Sequence, residues 1–165
     1  MLAIFFSCAK EEPSGYYWGI TNAQFNGDAW EAQLYAIENK PYNQGIDFIM
    51  HKFSKQGILL EILHFYKIPP QIGKYPFADT EVRDIDSLVG ARFRTVLDGD
   101  VTGDTYSLLE GVVNNYVEIT KIEGDQVWAD FQVAFVKGSS NNSPEYPDTI
   151  VFKNGKIHTR IVEPK

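Results

Sequence analysis

Apolar and polar residues alternate along much of the chain, most clearly at residues 116–122 and 126–136, which a Glu-Gly-Asp turn separates. One side of this predicted hairpin carries only apolar residues: Val117, Ile119, Val127, Ala129, Phe131, Val133 and Phe135. The other side carries Glu118, Thr120, Asp130 and Gln132. Alternation with a period of two predicts an antiparallel sheet that packs one face on the core and exposes the other.

A second hairpin is predicted around Asn26-Gly27, which separates the alternating residues 21–25 and 29–36. Asn-Gly favours a type I′ turn, because both central residues of that turn need a positive φ. The turn places Trp30 on the face that also carries Ala23, Phe25, Ala32 and Leu34. We therefore expect Trp30, like Phe131 of the first hairpin, to anchor the core.

The remaining segments complete an all-β pattern. Further strands are predicted at residues 47–53, 58–66, 74–77, 91–97, 105–110 and 149–162. Helical spacing occurs only at residues 79–90, so we expect at most one short helix, near residues 79–87. The chain is predicted to form an antiparallel β-sandwich or open β-barrel of about 8–10 strands, as a single domain over residues 16–165.

Composition excludes several classes of protein. The 165 residues are 44% hydrophobic and 14% aromatic, which excludes a disordered chain. The net charge is −7 and there is no block of basic residues, so nucleic acid is not an expected partner. Cys8 is the only cysteine, which excludes a disulfide within the chain. No apolar run approaches the 18 residues or more that a membrane-spanning helix needs.

The first residues resemble a bacterial lipoprotein signal. Residues 1–6 are apolar, and Ser7 precedes Cys8. The resemblance implies that residues 1–7 are removed, that Cys8 is acylated, and that residues 8–15 form a tether. The acidic Glu11 and Glu12 accompany surface export in the Bacteroidetes version of such signals, but they do not decide between periplasm and cell surface. The alternative is a cytosolic protein whose N-terminus packs on its own core.

Four short motifs resemble a family of uncharacterised Bacteroidetes lipoproteins. They are Asn26-Gly27-Asp28-Ala29-Trp30-Glu31-Ala32, Gly73-Lys74-Tyr75, Ala129-Asp130-Phe131 and Asn154-Gly155-Lys156-Ile157. The last two depart from the family pattern, since Ala129 replaces a glycine and Ile157 replaces a phenylalanine. The resemblance implies an all-β lipoprotein of the bacterial outer membrane, facing the periplasm or the cell surface. It implies no reaction and supplies no catalytic residues.

Few residues indicate catalysis or cofactor binding. No nucleophile, nucleotide or zinc motif is present, so no cofactor is expected. If Phe53 pairs with Ile58, His64 faces Asp47, either as a polar cross-strand pair or as a dyad that orients a base. Asp98, Asp100 and Asp104 have the oxygen spacing of half a calcium loop, but position twelve is Leu109. An ordinary turn explains this segment better than a metal site does.

Aromatic residues are the remaining signal. Trp18, Tyr42 and Trp128 are candidates for ligand binding, because exposed aromatic rings stack on sugar rings. Trp128 is alternatively buried beneath a second sheet or loop. The favoured function is a lipid-anchored binding protein for a small molecule, a glycan or a protein partner.

The alternative function is a glycoside hydrolase that uses a carboxylate pair. The available acids are Asp98, Asp100, Glu118 and Asp130. A retaining enzyme needs two carboxyl groups roughly 5–5.5 Å apart in a cleft, and an inverting enzyme needs roughly 6.5–9.5 Å.

Overall fold

The computed structural model describes residues 18–38, 45–78, 88–140 and 146–162. Ten strands form one sheet: β1 (Gly19–Phe25), β2 (Asp28–Glu38), β3 (Ile46–Phe53), β4 (Leu59–Ile68), β5 (Gly73–Pro76), β6 (Gly90–Leu97), β7 (Val101–Leu108), β8 (Tyr116–Glu123), β9 (Gln126–Ser139) and β10 (Thr149–Val162). The described residues contain no helix, and the all-β prediction is confirmed. The helix predicted near residues 79–87 lies outside the described residues, as do Cys8, the tether and Tyr42.

Eight of the ten strands close into a barrel. The pairing runs β1–β2–β3–β4–β6–β7–β9–β10 and returns to β1. All neighbours in this ring are antiparallel, and a short parallel contact between Ile161 of β10 and Ala36 of β2 lies beside the closure. The fold is therefore a closed barrel, where the sequence had predicted a sandwich or an open barrel.

Strands β8 and β5 extend the wall outside this ring. Strand β9 has 14 residues, and residues 126–136 pair with β10 along one edge. The other edge is divided, because residues 126–132 pair with β8 while residues 135–139 pair with β7. Strand β5 pairs with β8. The two strands form a ribbon that continues the outer surface of β9 and β10.

A bulge at Asn154 and Gly155 bends β10. The register of β10 shifts here against both β1 and β9, and Asn154 has a φ of 53°. A Cβ atom on Gly155 would lie 2.3 Å from the Phe131 ring, so glycine is needed for the close approach. Bulges increase local bending and twist, and closing a barrel requires both.

Aromatic side chains from several strands fill the inside of the barrel. Trp30 is 2% exposed and Phe131 is 1% exposed, which confirms both as core residues. The Phe152 ring contacts Trp30 with centroids 5.0 Å apart, and Phe131 contacts Phe65 at the same distance. The core thus joins β2, β4, β9 and β10 across the barrel.

A buried polar network lies beside Trp30. The Glu61 side chain accepts hydrogen bonds at Oε2 from Trp30 Nε1 (2.7 Å) and at Oε1 from Lys52 Nζ and Tyr146 Oη (both 2.9 Å). The same Tyr146 accepts a bond at its carbonyl oxygen from Lys137 Nζ, at 2.8 Å. A buried carboxylate needs such partners, because an unpaired charge in the interior is strongly unfavourable.

Candidate functional site

Two of the three residues predicted to bind a ligand, Trp18 and Trp128, meet on the outer wall. Trp18 lies directly before β1, and Trp128 lies in β9. Both contact His158 of β10. The Trp128 and His158 rings are stacked at 4.3 Å between centroids with a 12° tilt, and Trp18 meets His158 edge-on at 5.9 Å. We call Trp18, His158 and Trp128 the aromatic row.

Cationic side chains cover both ends of the aromatic row. Lys121 Nζ lies 4.5 Å from the centre of the Trp128 ring, and Arg160 Cζ lies 4.0 Å from the centre of the Trp18 ring. Their side chains are 50% and 42% exposed. The Gln126 side chain lies 3.0 Å from His158 Nε2 and fixes the imidazole ring. The row therefore combines ring surfaces with groups that donate and accept hydrogen bonds.

Sequence reasoning missed His158 as a member of this row. It pairs directly with Trp128 across β9 and β10, and Arg160 pairs with Gln126. Finding His158 would have required the register of the last strand, and that register depends on the bulge at Gly155. Because a bulge changes which residues are opposite each other, the alternation pattern alone does not reveal this pair.

Two of the four acids considered for a catalytic carboxylate pair are direct cross-strand neighbours. Glu118 of β8 and Asp130 of β9 face each other on the outer surface. Glu118 pairs with Lys74 at 3.4 Å, and Asp130 pairs with Lys156 at 2.7 Å. Their side chains are 41% and 36% exposed. The pair thus lies on a solvated surface, and each carboxylate has a lysine partner.

The calcium-like segment has a different structure from the predicted loop. The turn contains only residues 98–100, with positive φ at Asp98 (52°) and Gly99 (85°), and β7 begins at Val101. Asp104 is therefore inside a strand and fully buried, where it pairs with Lys137 at 3.0 Å and accepts a bond from Ser140 at 2.9 Å. Within the described ranges, no three His, Cys, Asp or Glu side chains are grouped so as to hold a metal ion.

The register predicted for the second hairpin is wrong, although His64 and Asp47 do meet. Phe53 pairs with Leu59 instead of Ile58, and a further shift follows before Lys52, so His64 faces Ile49. The turn is one residue longer than predicted, which displaces the pairing by one residue. The register shift between Lys52 and Phe53 displaces it by one more. His64 Nε2 still lies 3.5 Å from Asp47 Oδ2 on the diagonal. Asp47 Oδ1 also accepts a hydrogen bond from the Lys67 backbone N–H at 3.0 Å. This second bond is typical of a structural polar pair.

Comparison with known protein families, characterised proteins and solved structures finds no significant match to this chain. In the parts of the chain that the structure describes, no helix has the length and apolar character needed to cross a membrane.

Proposed function

We propose that this chain is a lipid-anchored extracytoplasmic protein that binds a glycan on the aromatic row. The observation that carries the proposal is that Trp18 and Trp128, far apart in sequence, lie on either side of His158 on the outer wall. The core side chains occupy the inside of the barrel. The outer wall and the rims are therefore the surfaces that this part of the chain offers to a ligand.

The aromatic row suits the two kinds of contact that a sugar makes. The apolar face of a sugar ring stacks on an indole, while its hydroxyl groups need polar partners. Lys121 and Arg160 now lie over the two indoles, but exposed cation–π contacts contribute only about 0.5–1 kcal/mol each. A sugar ring can displace these mobile side chains at small cost, and their charged ends then remain close enough to bind its hydroxyl groups.

The proposed anchor is a lipid on Cys8, as the N-terminal resemblance to Bacteroidetes lipoproteins implies. Two or more acyl chains give durable attachment to a membrane. Residues 8–15 would serve as a tether to the barrel, and the anchored protein would face the periplasm or the cell surface. Support for the anchor comes from the sequence, since the described residues begin at Trp18.

Binding is favoured over glycoside hydrolysis. A hydrolase holds its two carboxyl groups in a cleft, where one is kept protonated and water is excluded. Glu118 and Asp130 instead lie on an exposed surface, each in an ion pair with a lysine. If the pair is nevertheless catalytic, the purified protein will release reducing ends from a glycan that it binds, and Glu118→Gln will abolish the release.

A glycan array followed by calorimetry tests the proposal. We expect Trp128→Ala to weaken binding of the best array ligand by at least tenfold, which corresponds to about 1.4 kcal/mol. Tyr116→Ala is the matched control. The Tyr116 ring also carries a lysine, with Lys74 Nζ 3.5 Å from the ring centre, but it lies outside the aromatic row. If wild type and Trp128→Ala bind the ligand with equal affinity, the aromatic row is not the binding site. The same conclusion follows if Tyr116→Ala loses as much affinity as Trp128→Ala.

A further inference from the structure

A cationic groove lies on a separate part of the outer wall. It has a volume of about 450 Å³ and lies across β4, β6 and β7. Its lining includes Ile62, His64, Arg92, Arg94, Thr102 and Ser107. Neither β8 nor β10 contributes to the lining, so this groove is separate from the aromatic row.

Strand register brings the charged and apolar side chains of the groove together. Arg92 and Arg94 are two residues apart on β6, which puts both on the outer face. Arg94 faces Ile62 of β4, and Arg92 faces His64. Ile62 is only 8% exposed although it is on the outer face of the wall. The groove therefore has an apolar floor between cationic and polar walls.

Arg94 is the residue on which the inference rests. Its only polar contact among the described residues is a 3.4 Å hydrogen bond from Nη1 to Thr102 Oγ1. No carboxylate of the described ranges lies within salt-bridge distance of it, although the protein as a whole has a net charge of −7. A guanidinium presents a planar fork of donors that matches an oxyanion with two parallel hydrogen bonds.

We propose that the groove binds a small ligand through an oxyanion, a carboxylate, phosphate or sulfate group, held by Arg94. The Ser107 hydroxyl supplies a further donor at the rim, and Arg92 and Thr102 also line the groove. Ile62 provides apolar surface for the body of the ligand. The volume is within the range of about 300–1,000 Å³ typical of small-molecule sites.

His51 provides a spectroscopic reporter for the groove. It faces Ile62 across β3 and β4, and Ile62 faces Arg94 across β4 and β6. Burial, followed by the charges of Arg94 and His64, lowers the pKa of His51 from 6.5 to about 4. An anion bound to Arg94 offsets the positive charge and therefore raises the pKa of His51.

The test measures binding of sodium sulfate, inorganic phosphate and glucuronate to the 165-residue chain carrying Cys8→Ser, at matched ionic strength and pH 7. NMR shifts of the groove amides and calorimetry give the affinities, and a pH titration of His51 in sulfate and in chloride gives its pKa. We expect saturable binding and a higher pKa of His51 in sulfate. The probe that binds most tightly identifies the source of the oxyanion as a sulfated, phosphorylated or carboxylate ligand.

Variants distinguish the groove from general charge attraction. We expect Arg94→Gln to weaken binding at least tenfold and Arg94→Lys to weaken it less, because lysine keeps the charge but loses the fork. Arg160→Gln is the matched control, since Arg160 covers the Trp18 end of the aromatic row, outside the groove. Equal weakening by Arg160→Gln, no effect of Arg94→Gln, or no saturable shift with any of the three probes would overturn the proposal. Trp128→Ala leaves the binding of sulfate and phosphate unchanged, so the two proposed sites fail or succeed separately.

Discussion

The hydrogen bond from Trp30 to Glu61 leads to a quantitative prediction about stability. Trp30 is 2% exposed, and its Nε1–H donates to a carboxylate that is itself 2% exposed. Trp30→Phe removes the donor and part of the ring while keeping an aromatic group in the core. Trp30→Ala removes the whole side chain and leaves a cavity beside Phe152, whose ring contacts the indole.

The two substitutions differ in the number of contacts that they remove. A hydrogen bond to a charged group contributes about 1.5–3 kcal/mol, so Trp30→Phe is expected to cost about 2–3 kcal/mol. Truncating a buried tryptophan to alanine costs about 3–5 kcal/mol for the cavity and lost packing. Because Glu61 also loses a partner, Trp30→Ala is expected at or above the top of that range. Domains have a total stability of about 5–15 kcal/mol, so the alanine variant is close to unfolding.

Urea unfolding followed by far-UV circular dichroism measures these costs. With a slope of about 1–3 kcal/mol per molar urea, the midpoint of Trp30→Phe should fall by about 0.7–3 M. Trp128→Phe is the matched control, a tryptophan on the outer wall, and should shift the midpoint much less. A double-mutant cycle with Glu61→Leu, which removes both acceptor oxygens, isolates the interaction between the two side chains. A Trp30→Phe variant within about 0.5 kcal/mol of wild type would refute the assignment of a stabilising role to this bond.

Three further predictions follow from the fold and the N-terminus. Gly155→Ala forces a Cβ atom against the Phe131 ring and should cost about 1–3 kcal/mol in urea unfolding, whereas Gly138→Ala, whose nearest neighbour atom is 3.5 Å away, should cost less; equal costs would contradict the packing argument. Burial, followed by the charges of Arg94 and His64, lowers the pKa of His51 from 6.5 to about 4, so the unfolded chain binds a proton first as the pH falls. Stability is therefore full above pH 6.5 and falls towards pH 4, by about 1–2 kcal/mol once solvent screening of this partly exposed ring is allowed for. His51→Gln should flatten this part of the pH profile, and an unchanged profile would contradict the assignment. Cys8→Ser should release the protein from the membrane fraction, and mass spectrometry should find diacylglycerol on the native cysteine; an unmodified N-terminus in a cytosolic fraction would end the lipoprotein proposal.

Local sequence signals predicted the hairpins well but not the closure of the barrel. Asn26 and Gly27 have φ values of 50° and 97°, as the type I′ turn requires, and Ala23 pairs with Trp30 as expected. Closure depends on pairing between β1 and β10, which are at opposite ends of the sequence. Alternation identifies which face of a strand is buried, but it does not identify the neighbouring strand.

The sequence likewise indicated only part of the aromatic row, because the rest depends on which strands are neighbours. Composition and alternation indicated that Trp128 is on the outer face, and the structure places it there. Its stacking partner His158 depends on a register that the bulge determines. The cationic groove was missed because Arg92 and Arg94 look like ordinary solvent-exposed residues of a strand, and only the neighbouring strands show that they border an apolar floor.

The contact between the first and last described strands has a consequence for the order of folding. Thr21 Oγ1 of β1 donates to the Lys156 carbonyl oxygen of β10, across 135 positions of the chain. The ring therefore cannot close during synthesis until nearly all of its strands have emerged, and contacts of such long sequence separation form slowly. This delay is relevant to the export proposed above, because a polypeptide crosses a membrane through a secretion channel before it folds. Until β10 docks in the folding barrel, β1 and β9 each keep one unpaired edge, and a holding chaperone can bind such an exposed strand.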